Sequence, residues 1–385
     1  MRFEFATTTR IIFGPGTLKE VPSIASRMGG RAFVVVGRTL KRAQPLLEKL
    51  KEQGLEYEIF NVPGEPTTDL ALEALQRIRQ AEFQLVIGIG GGSVLDTGKV
   101  IAALITNPGH LSDYLEVIGK GRQISQPPVP YIAIPTTSGT GAEVTRNAVL
   151  ADVEHKVKVS MRSPLMLPGL AVVDPVLTYS MPPDTTASTG LDALTQLMEA
   201  YVSNKANPLT DGICREGLQR AACSLKRAYE DGSDKTAREN MSLASLFGGL
   251  ALANAKLGAV HGFAGPLGGL FSAPHGFICG RLLPFVMDAN VKSLGSRAPD
   301  SKELTRYDEV ARIITGEDTA QATDGVDWVQ NICKQLKVAP LSTFGISETD
   351  IPMVVEKSKN ASSMKGNPIR LTDEELTEIL NRAVN

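Results

Sequence analysis

The chain has 385 residues, 42% apolar and 21% charged, which is enough for two or three domains with sizeable cores and argues against disorder. With 40 basic against 42 acidic residues the formal net charge is −2, so neither nucleic acid nor a membrane surface is indicated as a partner. The N-terminus lacks the apolar core of a secretory signal, and the most apolar long stretch, 85–105, is broken by Asp96, Lys99 and glycines, so it cannot span a bilayer.

Alternation at Phe3 and Phe5 and again over 10–13 predicts two N-terminal edge strands. Edge strands of this kind can pair across a two-fold axis, so a homodimer is expected. Gly14-Pro15-Gly16 turns into a short helix over 17–28. Residues 32–36, with Phe-Val-Val-Val at their centre, are the continuous apolar run of a strand covered on both faces. A helix over 39–53, a strand over 57–61 and a helix over 67–81 follow. The strand over 85–89 feeds a glycine cluster and another helix, the strand over 131–134 feeds Pro135-Thr-Thr-Ser-Gly-Thr-Gly, and 170–173 is a further strand. Strands and helices alternating at this spacing predict an α/β domain over 1–179 with a mostly parallel sheet. After Asp174-Pro175 helical periodicity takes over, so 180–385 is expected to be all-α. Helices are expected from Pro182-Pro183-Asp184 and over 210–227, 236–256, 307–314, 324–336 and 373–383. The last is led by Thr372 as N-cap, with Glu375 three residues on. Cys214, Cys223, Cys279 and Cys333 form no Cys-x-x-Cys pair and read as reduced core or surface thiols of a cytoplasmic protein.

Two places carry chemistry. The run from Gln84 to Lys99 is a strand, a glycine turn and a helix. Glycines let backbone approach a pyrophosphate, and the helix start offers N–H groups and the positive end of its dipole. A capped helix would also account for Ser93 with Asp96 three residues on, but three consecutive glycines exceed what a cap needs. The second place is 190–201 together with 260–276. Asp192 and Gln196 lie one turn apart on a helix, and His261 and His275 are two of only four histidines, both in otherwise apolar, Gly/Pro-rich surroundings. A carboxylate, an amide oxygen and two imidazoles suit a divalent cation such as zinc or iron(II). A hydrogen-bonded core histidine or a solvated aspartate would explain each residue singly.

Gly90-Gly-Gly-Ser-x-x-Asp96-x-x-Lys99, Pro135-Thr-Thr-x-Gly-Thr-Gly, Pro164-x-x-x-Pro168-x-x-Ala-x-x-Asp174-Pro175, Gly190-x-Asp-Ala-Leu-Thr and Pro274-His-Gly occur in that order. Together they resemble the iron-containing (group III) alcohol dehydrogenase family over nearly the whole chain, through Asn367-Pro368 to the last helix. The resemblance implies an N-terminal dinucleotide-binding α/β domain, an all-α metal and substrate domain and a cleft between them, an architecture like that of the dehydroquinate synthases. It implies hydride transfer between a nicotinamide and a small alcohol or aldehyde whose oxygen a divalent metal, iron or zinc, polarises. Family ligands are one Asp and three His. Asp192 matches the Asp, His261 and His275 match two of the histidines, and Gln196 stands at the remaining ligand position. Gly265 stands where many members carry a further His near the reacting carbon. By motif, Gly91, Gly92 and Ser93 would bind the pyrophosphate, with Asp96 and Lys99 behind them. Thr136, Thr137 and Thr140 would line the adenine and ribose-phosphate side. Lys158 and the loop holding Glu65 and Thr67 would touch the nucleotide.

The cofactor is expected to be NADP(H), with NAD(H) possible. In NAD-preferring relatives the strand ends in an Asp that binds both ribose hydroxyls. Here Gly37 holds that position, followed by Arg38-Thr39-Leu40-Lys41-Arg42. Gly37 leaves room for a 2′-phosphate and Arg38 can meet it with a planar fork of donors. Two other functions fit the scaffold. A carbon–oxygen lyase would need a basic cluster at the metal, where Arg281 is the one basic residue close to the second segment. A metal-independent reductase, or a cofactor-binding protein without chemistry, is motivated by Gln196 and Gly265. Phe247, Leu252, Phe263 and Phe271 are expected to form an apolar far wall, favouring a small aliphatic or aromatic aldehyde over a polyol.

Overall fold

The computed structural model describes residues 2–79, 81–271 and 273–385. Met1, Gln80 within the expected 67–81 helix, and Ser272 within the second histidine segment lie outside the described residues. The described chain divides into two compact units. One holds Ala6–Thr137 and Gly141–Ser180, the other Ser138–Thr140, Met181–Asn385 and the residues up to Phe5.

In the first unit the apolar runs become strands: β1 (Arg10–Phe13), β2 (Arg31–Gly37), β3 (Glu56–Val62), β4 (Leu85–Gly90) and β5 (Tyr131–Pro135). A hairpin of β6 (Asn147–Asp152) and β7 (Val157–Arg162) precedes β8 (Leu170–Val173). The helices between them are α1 (Val21–Ala25), α2 (Gln44–Glu52), α3 (Thr68–Ile78), α4 (Gly92–Thr106) and the short α5 (Leu111–Tyr114). The main sheet is parallel, in the order β1-β8-β5-β4-β2-β3. Successive side chains point to opposite faces. Thus Val34, Val36, Ile87 and Ile89 enter one core, while Phe33, Val35 and Val86 enter the other. Both faces are buried, which is why these strands read as unbroken apolar runs rather than alternations.

Two expectations need correcting. Among the described residues one N-terminal strand forms, not two: β1 takes the edge of β8, and residues 2–8 are not strand. The β6–β7 hairpin was not expected from the sequence at all.

The second unit is helical: α6 (Pro183–Val202), α7 (Pro208–Glu230), α8 (Lys235–Asn254), α9 (Ala259–Leu270), α10 (His275–Arg297), α11 (Lys302–Thr315), α12 (Ala322–Gln335), α13 (Ile351–Lys359) and α14 (Asp373–Val384). Helix α6 is its axis, buried almost continuously from Gly190 to Val202. Glycines let neighbouring backbones approach it. A Cβ on Gly280 of α10 would meet Leu191 at 2.6 Å, and one on Gly276 would lie 1.9 Å from the carbonyl oxygen of Ser188. Phe263 is fully buried in this core and so is not a pocket wall, whereas Phe247, Leu252 and Phe271 are only partly buried against it. Among the described residues no single helix is long and apolar enough to cross a membrane.

Candidate functional site

In the α/β unit the strand order reverses between β2 and β4. From β2 the chain steps outward to β3, whereas β4 is followed by β5 and β8 on its other side. The crevice beyond the carboxyl ends of such a strand pair is where open parallel sheets take a dinucleotide. Gly37 ends β2 and Arg38 follows it, Glu65 and Thr67 follow β3, Gly91, Gly92 and Ser93 follow β4, and Thr136 and Thr137 follow β5. These candidates therefore share one end of the sheet. Thr140 belongs to the helical unit with Ser138, whose Oγ lies 3.2 Å from that of Ser242.

The capping alternative at the glycine turn does not hold. Gly91 is the N-cap of α4 and no side chain caps the helix. Asp96 turns elsewhere, accepting from the Val149 N–H at 2.9 Å. Lys99 is 1% exposed, and its ammonium donates to Thr145 Oγ1 (2.8 Å), the Asn147 carbonyl (2.7 Å) and Asp96 Oδ1 (3.2 Å). Asp96 and Lys99 thus sit behind the loop and tie α4 to β6. Thr67 caps α3, its hydroxyl accepting from Leu70 N–H at 3.1 Å. Lys158 and Glu65, from β7 and the loop after β3, form a 2.8 Å ion pair. Of the basic run after β2, Arg42 is taken by the Ser180 side chain and carbonyl, while Arg38 is exposed with no ion pair among the described residues.

Beside Lys99 lies Glu143, 2% exposed, whose carboxyl burial pushes up to about 7, only partly offset by its own backbone N–H and by Lys99. A raised folded value means that the folded chain holds a proton the unfolded chain releases. The stabilisation is present below about pH 4.5 and is lost as pH rises through about 7. Its full size is on the order of 3 kcal/mol. Glu143→Gln is expected to remove this slope, coming nearest to the wild type at the acid end of the window, about pH 4, and exceeding its stability at about pH 8. Urea unfolding at the two pH values checks it, and parallel wild-type and variant curves would refute it.

The helical unit gathers the other candidates. Asp192 on α6, His261 on α9 and His275 on α10 converge: Asp192 Oδ1 lies 3.2 Å from His261 Nε2 and 3.8 Å from His275 Nε2. A fourth residue, missed in the sequence reading, joins them. Cys279 stands one turn beyond His275 on α10, its Sγ 3.7 Å from His275 Nε2 and 3.9 Å from His261 Nε2. All four donor atoms lie within 4.8 Å of one another. Gln196 is adjacent, but its amide nitrogen donates to Asp192 Oδ1 at 3.1 Å and its oxygen is buried without a partner. The amide thus turns toward the carboxylate the end that cannot bind a cation.

Burial by itself would raise the carboxyl of Asp192, but the His261 hydrogen bond and the charges of His275 and His261 outweigh it and hold it below the usual range. Burial likewise would raise the Cys279 thiol, yet the two imidazoles draw it below its ordinary value. Burial opposes protonation of His261 and His275, and the Cys279 and Asp192 charges overcome it and push both up. Anionic donors and imidazoles held this close, at the expense of their solvation, suit a divalent ion.

A second missed residue fixes the geometry. Glu199 lies two turns along α6 from Asp192, on the same face. Its Oε2 accepts from His261 Nδ1 at 2.7 Å and its Oε1 from Val260 N–H at 2.7 Å. The carboxylate therefore caps α9 and holds the His261 tautomer that turns Nε2 toward Asp192. Asn367, of the Asn-Pro pair, accepts from Ala259 N–H at 3.1 Å and completes that cap. Arg281 donates to the carbonyls of Arg382 and Ala383 at the end of α14, so no basic cluster of the kind a sugar-phosphate lyase needs is built from it. A Cβ on Gly265, one turn beyond His261, would meet nothing within 4 Å.

The family model described as Iron-containing alcohol dehydrogenase matches residues 8–175, and that described as Fe-containing alcohol dehydrogenase family, C-terminal, matches 186–384. Alcohol dehydrogenase 4 of Saccharomyces cerevisiae (strain YJM789) is 34% identical, over 96% of each chain. The 1,3-propanediol dehydrogenase of Klebsiella pneumoniae is 33% identical, over 99% of this chain and 98% of that one. A crystal structure of 1,3-propanediol oxidoreductase superposes with a TM-score of 0.91 at 32% identity, each chain fully covered.

Proposed function

The chain belongs to the iron-containing alcohol dehydrogenase family, and on that premise we propose how its own residues serve the reaction. It is an NAD(P)-dependent oxidoreductase acting on small alcohols or aldehydes, with a nicotinamide and a divalent metal as cofactors. The metal, when bound, polarises the alcohol or carbonyl oxygen while the nicotinamide exchanges hydride with the carbon. Asp192, His261 and His275 hold that ion, and Glu199 positions His261 through its Nδ1–H. The one observation that carries this reading is the convergence of those three donors from three helices onto one point. No imidazole stands at Gly265, so that position contributes no proton transfer.

Gly91, Gly92, Ser93, Thr136 and Thr137 receive the nucleotide phosphates and ribose, with Glu65, Thr67 and Lys158 beside them. NADP(H) is the preferred cofactor. Gly37 leaves space, since a Cβ there would meet only Val94 at 4.0 Å, and Arg38 is exposed with no ion pair among the described residues. Half-buried Phe247 and Phe271 favour small apolar aldehydes as substrates. The edge position of β1 supports a homodimer, and four free thiols support a cytoplasmic setting.

The cofactor assignment is tested by kcat/KM with each nicotinamide. NADPH is expected to exceed NADH by about tenfold or more, which takes only ~1.4 kcal/mol. Arg38→Glu is expected to erase most of the difference by placing a carboxylate against the 2′-phosphate. Equal efficiencies in the wild type, or an unchanged ratio in the variant, would refute it.

A further inference from the structure

We infer that Cys279, not Gln196, supplies the fourth protein ligand, so that the metal is held by two imidazoles, a carboxylate and a thiolate, with the substrate oxygen entering as a fifth ligand. The inference rests on the metal reading above and extends it to a donor that its family motif does not provide. Donors around a tetrahedral zinc, at bonds of roughly 2.0–2.3 Å, stand roughly 3.3–3.8 Å apart. Four of the six separations, 3.2 and 3.8 Å from Asp192 to the imidazoles and 3.7 and 3.9 Å from Cys279 to them, lie at or just outside that range, and all four donor atoms are within 4.8 Å of one another. No large movement of helix or side chain is needed to close it.

The helix explains the match. His275 opens α10, and the side chain four residues later lies on the same face. His-x-x-x-Cys on one helix therefore presents two donors to one point. Gly276 and Gly280 allow α10 to lie directly on α6, which brings both α10 donors to Asp192. Cys279 is fully buried, so its sulfur faces this cluster rather than solvent.

Gln196 is ill placed for the same task. Its donating nitrogen is the end beside Asp192, and its oxygen faces Gly248, where a Cβ would lie 3.0 Å away. Ligation through the oxygen would require the amide to reverse and give up the Asp192 hydrogen bond. Ligation by Cys279 requires only loss of the thiol proton to water as the metal–sulfur bond forms. One carboxylate and one thiolate then neutralise a divalent ion within a buried site. A thiolate is also a softer donor than an imidazole or an amide, so the site should prefer zinc to iron(II) or magnesium.

The test loads the full-length protein with cobalt(II) or zinc. Cobalt protein is expected to show a thiolate-to-metal charge-transfer band in the near ultraviolet. The band should disappear in Cys279→Ser and persist in Gln196→Leu. X-ray absorption on the zinc-loaded wild type is expected to show one sulfur at about 2.3 Å, and this reading stands even if Cys279→Ser does not fold. Bound metal with a shell of nitrogen and oxygen only would overturn the inference while leaving metal-dependent catalysis intact. A wild-type protein that retains no divalent ion would overturn the metal reading itself.

Discussion

Asp192→Ala is expected to lower kcat by more than ~100-fold and to strip the protein of its divalent metal. Asp192 is the hub of the cluster: 2% exposed, it accepts from Gln196 and faces both imidazoles through one oxygen, Oδ1. Without it, two imidazoles and a thiol remain with no carboxylate to balance the ion. The polarisation a metal gives a carbonyl oxygen amounts to several kcal/mol of transition-state stabilisation, so its loss falls on kcat. His261→Ala is expected to act the same way, and in addition it leaves Glu199 buried without its imidazole partner. Metal analysis, thermal unfolding and steady-state kinetics on the same samples separate loss of metal from loss of fold. Near-normal turnover in a folded variant would remove Asp192 from the site.

Gly276→Ala is expected to cause the largest damage from the smallest change. The added methyl would fall 1.9 Å from the Ser188 carbonyl oxygen, and both atoms belong to, or are fixed by, helix backbone. No side chain can rotate away, so α10 must move off α6. Overpacking of this kind costs about 1–3 kcal/mol, with more expected where backbone meets backbone. Because Gly276 adjoins His275, the same movement would draw that imidazole away from Asp192. Metal content and kcat should therefore fall together with the melting temperature. Gly212→Ala is the contrasting case. It lies within α7, its Cβ would meet nothing within 4 Å, and removing a helical glycine should add roughly 0.5–1 kcal/mol of stability. Equal melting temperatures for the two variants would contradict this account of how α6 and α10 are joined.

The parallel strands were legible because both of their faces are covered, so burial imposes runs such as Phe33-Val-Val-Val36 that need no tertiary information to recognise. The glycine turn after β4 was legible for a related reason: a Cβ on Gly90 would fall 2.4 Å from the Val94 side chain, and no side-chain cap is present. The β6–β7 hairpin was not. Its turn, with Lys156 at φ 51, and its flanking charged residues hide a weak alternation that only packing makes into strands.

Helices α9 and α10 were hidden by Pro266 and Pro284 and by glycines that read as breakers. In the folded unit Gly276 and Gly280 are contact points on α6, so packing there overrides poor intrinsic propensity. That hidden helix explains the missed ligand. With no helix assigned over 260–297, Cys279 read as one more core or surface thiol. Once α10 begins at His275, it falls one turn away on the same face. Glu199 was missed because its role depends on the start of α9, which spacing along α6 does not reveal.

Nicotinamide absorbance tests metal-assisted hydride transfer most directly. NADPH and a short aliphatic aldehyde are mixed with protein stripped by a chelator, and then with the same protein after zinc or iron(II) is returned. The expected record is a flat trace from the stripped protein and a steady fall once metal is restored. An equally fast fall without metal, or no fall with any metal and any small aldehyde, would contradict the role assigned to Asp192, His261 and His275.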